Sequence, residues 1–550
     1  MRLTWVQPED LLPHQLVQST AERVEVSDIA ERWVSAGGGT EAPVSGASDK
    51  PAAPVLRALA RELLDELDAR FAGWQAPDLP VLPLLTDPQP PSVSARELAG
   101  AQSPAVPARE LAGGQSPGVP ARELAGTQPS AVSDHELATA RSAVGRAGAE
   151  RSGDDGSLVL QSPSTDREPA EPASGRVLNA WLGRAAGNLL GKPVEKIPRE
   201  GIREILQSSG QWPLQQYVTA VGVPDEVLGR WPWNRRSKPT SLREVIDGMP
   251  EDDDLNFAIL ALQLVERHGD GLTTEDVAAA WLNDLPAGRV FTAERVAYRN
   301  LLDGVEPARA ALVRNPFREW IGAQIRTDVY GWVRPGDRTA AARLALADAR
   351  LSHTGAGVDG ALWVAAMSAA AMVLDDPVAV AEAGLDVVDP ASELAKAVRF
   401  GLGLAETPLD DALDALHAEY GHLHWVHSVN NSALTAYALT APDFATGIGR
   451  AVMGGWDTDS AGATVGAVLG AVLGVPAEWA GPLDDRLATS LPGMNQVAIS
   501  ELAARTVAAR AGAVQTDSVQ ADAGPAGAVQ AEAVRTVGQT VAAGKADRRG

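Results

Sequence analysis

Two runs of acidic residues in this chain have the types and spacing to do chemistry. Pro250-Glu251-Asp252-Asp253-Asp254 puts four carboxylates in succession directly before an apolar stretch. Acidic residues at a helix start commonly cap it and meet the positive end of its dipole. One or two satisfy that need, whereas four adjacent ones repel each other, and the nearest basic residue on the N-terminal side is Arg243. A divalent cation would relieve the conflict; taken alone, this run fits capping and metal binding equally well. The second run, Gly454-Gly455-Trp456-Asp457-Thr458-Asp459-Ser460, also precedes an apolar stretch. Asp457 and Asp459, two apart on an extended approach, and the Ser460 hydroxyl at the helix start offer three oxygens to one centre. The paired glycines permit a tight turn. Oxygen ligands suit Mg²⁺ or Mn²⁺, and two such loops could hold two ions.

The elements that must position these runs are helices. Apolar residues recur at helical spacing in 177–190, 255–266, 275–282, 340–350, 360–374, 391–404, 409–420, 430–439 and 460–473. Strand-like alternation is almost absent, so residues 176–505 are predicted to form one all-α catalytic domain. Thr273-Thr274 before Glu275-Asp276 reads as a helix start, and His268-Gly269 as a helix end. The stretch Ala461 to Val475 is short for a membrane span, and Gly462, Gly466, Gly470 and Gly474 recur every four residues on one helical face. It reads as a buried helix whose glycines let a neighbouring backbone come close.

The rest of the chain is of different composition. Residues 1–75 read as a small N-terminal segment, with an amphipathic helix over Pro54 to Phe71. Residues 76–175 are rich in Pro, Ala and Gly, and units beginning ARELAG start at Ala95, Ala108 and Ala121, a period of 13. Each offers too little apolar surface to offset the entropy of ordering, so a disordered linker is expected there, and a disordered tail over 506–550. The 550 residues carry a net charge of -24 and no cysteine. That balance argues against a nucleic-acid backbone as partner and excludes disulfides and thiolate metal sites. The opening MRLTWVQPEDLL lacks a signal-peptide layout, which predicts a cytoplasmic protein with no membrane association. Nothing in the sequence fixes an oligomeric state.

Three elements in order resemble the ADP-ribosylglycohydrolase family. They are Gly183-Arg184-Ala185-Ala186-Gly187-Asn188-Leu189-Leu190-Gly191-Lys192-Pro193-Val194-Glu195, then Asp252-Asp253-Asp254-Leu255-Asn256, then Gly454 through Ser460 with its glycine-striped helix. The resemblance spans 183–474. It implies a compact multi-helix domain with two Mg²⁺ or Mn²⁺ held by Asp252, Asp253, Asp254, Asp457, Asp459 and Ser460. Counting back from Gly269 and matching Asn256 to the family's amide favours this register over Glu251-Asp252-Asp253. The chain departs from the family pattern in three places: Asp252 stands for a hydroxyl, Asn188 for a common Asp, and Trp456 precedes the aspartates.

The resemblance further implies hydrolysis at the anomeric carbon of an ADP-ribosyl group on a protein or small molecule. Asp253 or Asp254 would accept the water's proton, and Glu195 would be a second acid/base or a gating carboxylate. The Ser352-His353 loop with Gly355, Gly357 and Gly360 would lie near the substrate's diphosphate, although its GxGxxG spacing fails as a dinucleotide fingerprint because no βαβ unit surrounds it. Two other readings stay open: a catalytically altered, metal-bound ADP-ribose-binding protein, and a glycohydrolase of a small nucleotide metabolite. His417, His422, His424 and His427 lack a zinc-site pattern and read as structural or substrate-edge residues. Arg230, Arg235 and Arg236 among Trp231 and Trp233 fit either a solvated loop or contacts to a base and phosphate. Asn315 to Trp320 and Gln324 to Asp328 suggest a shaped pocket wall.

Overall fold

The computed structural model describes residues 6–39, 52–71 and 173–512. The 13-residue repeats, nearly all of the expected linker and the chain beyond residue 512 lie outside them. Among the described residues the regular structure is helical, with only isolated bridges such as Trp320 to His427. The first three helices are α1 (Pro8–Ala21), α2 (Ser27–Ser35) and α3 (Pro54–Phe71). Ten more carry the site: α4 (Ala173–Gly191), α5 (Asp253–His268), α6 (Thr292–Leu302), α7 (Arg338–Ala349), α8 (Gly355–Ala371), α9 (Glu393–Leu402), α10 (Ser428–Leu439), α11 (Phe444–Met453), α12 (Thr458–Leu473) and α13 (Ile499–Gly512). The last runs past the expected boundary at 505. Shorter helices and turns fill the connections.

At the centre α4 lies against α12, and small residues make the contact possible. A Cβ on Gly187 would fall 1.9 Å from the Gly462 carbonyl oxygen, and one on Gly466 would fall 2.1 Å from that of Gly183. Backbones this close leave no room for a methyl group. The approach brings both acidic runs to the same end of the helix pair: Thr458 Oγ1 donates to the Gly191 carbonyl at 2.9 Å, fixing the start of α12 on the end of α4. The apolar stretch after Asp459 is thus an interior helix, and no described helix is long and apolar enough to cross a membrane.

Apolar periodicity locates most of these helices because their inward faces are Leu, Val and Ala. Capping holds too: Thr273 and Asp276 form a reciprocal capping box, and Gly269 ends α5 with φ 54°. Helix α6 has no such apolar signature, because Glu294, Arg295 and Asn300 on it are buried. Residues distant in sequence and carbonyls that the fold supplies satisfy much of their charge and the amide. One such group is Arg326, which donates to Glu294 Oε1 at 2.7 Å and Asp348 Oδ1 at 2.8 Å.

The N-terminal helices pack on the helical domain. His14 of α1 sits edge-on to Phe317 and Trp320, with ring centroids 5.0 and 5.5 Å away. Arg318, buried, donates from Nε to Glu22 Oε1 at 2.9 Å just past α1. Arg314 Nε reaches Asp68 of α3 at 2.6 Å.

Candidate metal centre and active site

Asp252 is the N-cap of α5. Its side chain accepts from the Asp254 backbone N–H at 3.1 Å, so Asp253 and Asp254 occupy the first turn. Asp457 precedes α12, and the helix begins at Thr458. Asp459 and Ser460 therefore belong to its first turn, not to an extended approach, because the Asp457 carbonyl already accepts the Ala461 N–H at 2.9 Å. Carboxylate oxygens of Asp252, Asp254 and Asp459 come within 4.8 Å of one another. Ser460 Oγ donates to Asp254 Oδ2 at 3.3 Å. The two runs meet.

Electrostatics in this buried cluster are frustrated. Burial, and then neighbouring carboxylates, push Asp253, Asp254 and Asp459 well above the ordinary aspartate range; Asp457 is pushed up to about 7 by burial and then Glu195. Asp254 Oδ1 and Asp459 Oδ1 are buried with no hydrogen-bond partner. The nearest cation to the former is Arg184 Nη2, at a long 3.7 Å. Buried carboxylate oxygens of this kind are costly unless paired with a positive charge. An all-oxygen donor set with two unsatisfied oxygens fits a hard divalent cation.

Asp252 differs from its neighbours. Burial works against its charge, but the Lys192 ammonium against Oδ2 outweighs that and holds it below the usual range. Its Oδ1 accepts from Asn188 at 3.0 Å. The two departures from the family pattern in this corner, Asp252 and Asn188, thus touch each other, with Lys192 completing the set. Glu251 faces elsewhere, held by Arg289 at 2.7 Å, by Asn256 at 3.3 Å and by Ser490. Glu195 follows the short turn Lys192–Val194, and its carboxylate accepts from Asn234 at 2.7 Å and pairs with Lys196 at 3.1 Å.

Several supporting residues carried no assigned role in the sequence. Arg184, fully buried, donates to Asp328 Oδ2 at 2.6 Å and to the Asp254 carbonyl at 3.1 Å. Asn431 accepts the Asp457 N–H at 3.1 Å while donating to the carbonyls of Trp425 and His427, both at 2.9 Å. The segment from Trp425 to Asn431 thereby orients the second acidic run. Lys192 and Arg184 stood inside the recognised motif, which was the available clue, although their partners Asp252, Asp254 and Asp328 lie 60 or more residues on. Asn431 gave none, because its bond to Asp457 spans 26 residues.

The glycine-rich loop is placed differently from the acidic runs. Ser352 and His353 are buried, with Ser352 Oγ accepting from Arg326 at 2.9 Å and lying 2.7 Å from His353 Nδ1. A Cβ on Gly355, Gly357 or Gly360 would fall 2.1 Å from Glu319 Oε1, 2.4 Å from the Arg318 carbonyl or 2.6 Å from Gln324 Oε1 respectively. These glycines serve close packing against 318–324. The segments read as a pocket wall are interior: Asn315, Arg318, Gln324, Arg326 and Asp328 are each at most 1% exposed. The histidines have structural contacts. His417 stacks on Trp456 at 4.4 Å and His424 on Trp320 at 4.2 Å, while His427 Nδ1 accepts the Val429 N–H at the start of α10, at 3.2 Å.

Residues 169–515 match the ADP-ribosylglycohydrolase family, and the chain belongs to it. An uncharacterized protein of Archaeoglobus fulgidus is 26% identical over 322 residues, which is 57% of this chain and 94% of that protein. A solved ADP-ribosylglycohydrolase-related protein complex is similar over 62% of this chain and 98% of its own, at 21% identity and a TM-score of 0.40. Membership supports a glycohydrolase of that family, with the all-α fold described above.

Proposed function

We propose that this protein is a divalent-metal-dependent hydrolase of the glycosidic bond at the anomeric carbon of an ADP-ribosyl group, carried by a protein or by a small molecule. The observation that supports it most is the meeting of Asp254 and Asp459, from runs about 200 residues apart, each with a buried oxygen that has no hydrogen-bond partner. Asp252, Asp253, Asp254, Asp457, Asp459 and Ser460 would hold two Mg²⁺ or Mn²⁺. When bound, such ions polarise water and orient ribose hydroxyls.

The chain's own groups have these roles. The transition state carries positive charge on the ribose ring, and nearby carboxylates stabilise it. A water oxygen bonds to the anomeric carbon as the bond to the leaving nitrogen or oxygen breaks. Asp253 or Asp254 takes the water's proton. Glu195 returns a proton to the leaving group or gates its access, and Asn234 and Lys196 hold it in place. Ser352 and His353 support the turn at Gly355 from the interior, behind the substrate's diphosphate.

The test uses ADP-ribosylated protein with Mg²⁺ or Mn²⁺ and an EDTA control. Release of ADP-ribose that needs the metal is expected. Asp457→Ala and Asp254→Ala should each abolish both release and metal-induced thermal stabilisation while leaving helical content nearly unchanged. Absence of release under every metal condition, with ADP-ribose still bound, would remove the hydrolase and leave a binding protein.

A further inference from the structure

Lys192 opens the short turn after α4 and is buried among the acidic residues, 6% exposed. Its ammonium donates to Asp252 Oδ2 and, at 3.4 Å, to the Glu251 carbonyl. The charges of Asp459 and Glu195 act on it as well. The turn is fixed on both sides. Thr458 Oγ1 donates to the Gly191 carbonyl just before Lys192 at 2.9 Å, and the Asn234 N–H donates to the Pro193 carbonyl just after it at 3.0 Å. The ammonium is therefore an integral part of the cluster.

Asp252 is engaged at both oxygens. Its Oδ1 accepts from Asn188 at 3.0 Å and from the Asp254 N–H at 3.1 Å, while its Oδ2 holds the ammonium. Carboxylate oxygens of Asp254 and Asp459 lie within 4.8 Å of one on Asp252, and each of these two residues keeps a buried oxygen with no hydrogen-bond partner. The cluster thus presents two kinds of carboxylate: two with an oxygen to spare, and one already holding a cation. A divalent ion that draws on Asp252 must either approach a like charge or displace the ammonium. Either weakens binding, because two cations at one buried carboxylate repel over a short distance that water and salt screen little.

We propose that Lys192 is a resident cation that competes with the divalent ion for Asp252 and so sets how tightly this site binds metal. The ammonium holds the acidic residues together before metal arrives, and the chain then binds the ion more weakly than its carboxylates alone would. Lys192 acts on the ion through Asp252 and is a positioning residue, with no part in the bond-breaking step. The carboxylate at 252, which stands where the family has a hydroxyl, thereby comes with its own counter-charge. The inference rests on the metal-dependent reading of the site and is independent of the substrate.

Calorimetric titration of the metal-free full chain with Mn²⁺, alongside thermal melts, tests it without measuring cleavage. Lys192→Met should bind Mn²⁺ at least tenfold more tightly than the wild type. It should melt lower without metal, since buried Asp252 loses its partner, and gain more on adding Mn²⁺. Lys192→Gln keeps a hydrogen bond to Asp252 without the charge; it should change in the same direction, and it serves if Lys192→Met fails to fold. In Lys192→Met combined with Asp252→Asn the gain in affinity should vanish. Equal or weaker Mn²⁺ binding in the neutral variants, or a gain that survives loss of the Asp252 carboxylate, would overturn the competition and leave the metal centre standing. If neither the wild type nor the neutral variants bind Mn²⁺, the metal reading falls and this inference with it. Tighter binding in the neutral variants with no release of ADP-ribose by any of them or by the wild type would instead remove the hydrolase alone.

Discussion

At the scale of single residues, the buried acids do not share one environment. Asp252 has a built-in ammonium from Lys192, while Asp254 and Asp459 each have a buried oxygen with no hydrogen-bond partner. Asp359, in the second turn of α8, is a simpler case outside the metal cluster. Burial, followed by the charges of Asp389 and Glu319, pushes its carboxyl up to about 7. Between the unfolded value of 3.8 and about 7 the folded chain keeps a proton that the unfolded chain has released. Stability contributed by this group therefore falls as pH rises through that window and levels off above it. Asp359→Asn copies the neutral form. It should be more stable than the wild type by roughly 2–4 kcal/mol at pH 8 and about equal to it at pH 4, as read from denaturant midpoints. A stability difference independent of pH would refute this account.

Among the elements, the α4–α12 pair decides the geometry of the site. The acidic runs converge because two backbones approach without intervening side chains, and Thr458 locks the register at the Gly191 carbonyl. Any side chain on Gly466 would meet the Gly183 carbonyl, with no flexible group to yield. Gly466→Val should destabilise the protein by about 1–3 kcal/mol or more, since overpacking of close-packed cores costs that much. It should also weaken metal-induced stabilisation, although no metal-binding oxygen is removed. A variant as stable as wild type, or one with intact metal stabilisation, would show that the helix pair does not set the site. The glycine spacing made the buried helix legible in the sequence. It did not reveal the partner helix, because Gly183 and Gly187 are ordinary until their carbonyls are seen against Gly462 and Gly466.

For the whole molecule, the N-terminal helices and the helical domain behave as one packed unit. Arg318 carries the junction: it is 1% exposed, and it joins Glu22 to the Asn315 carbonyl, the latter at 2.6 Å. Removing one partner of a buried pair leaves the other charge uncompensated, which typically costs about 3–5 kcal/mol. Arg318→Met should therefore loosen α1–α3 before the rest. Hydrogen exchange should show amides in Leu11 to Ser19 losing protection, while amides in α12 keep theirs. Uniform loss of protection across both regions would mean that the junction is not a separable unit.

Local chemistry written along the chain determined much of this protein. Apolar spacing marked most helices, the paired acidic runs marked the candidate metal centre, and three ordered motifs marked the family. Those features are legible because each is a property of neighbours in sequence: periodicity, charge density, a cap. Helix α6 escaped because its inward face carries Glu294 and Arg295, whose burial is tolerable only with partners the fold brings. The positioning of Asp457 by Asn431 and the bond from Arg184 to the Asp254 carbonyl also belonged to tertiary structure alone. The acidic runs could be recognised one at a time from sequence. Only close packing of α4 on α12 makes them one site, because electrostatic coupling depends on distance in space and not along the chain.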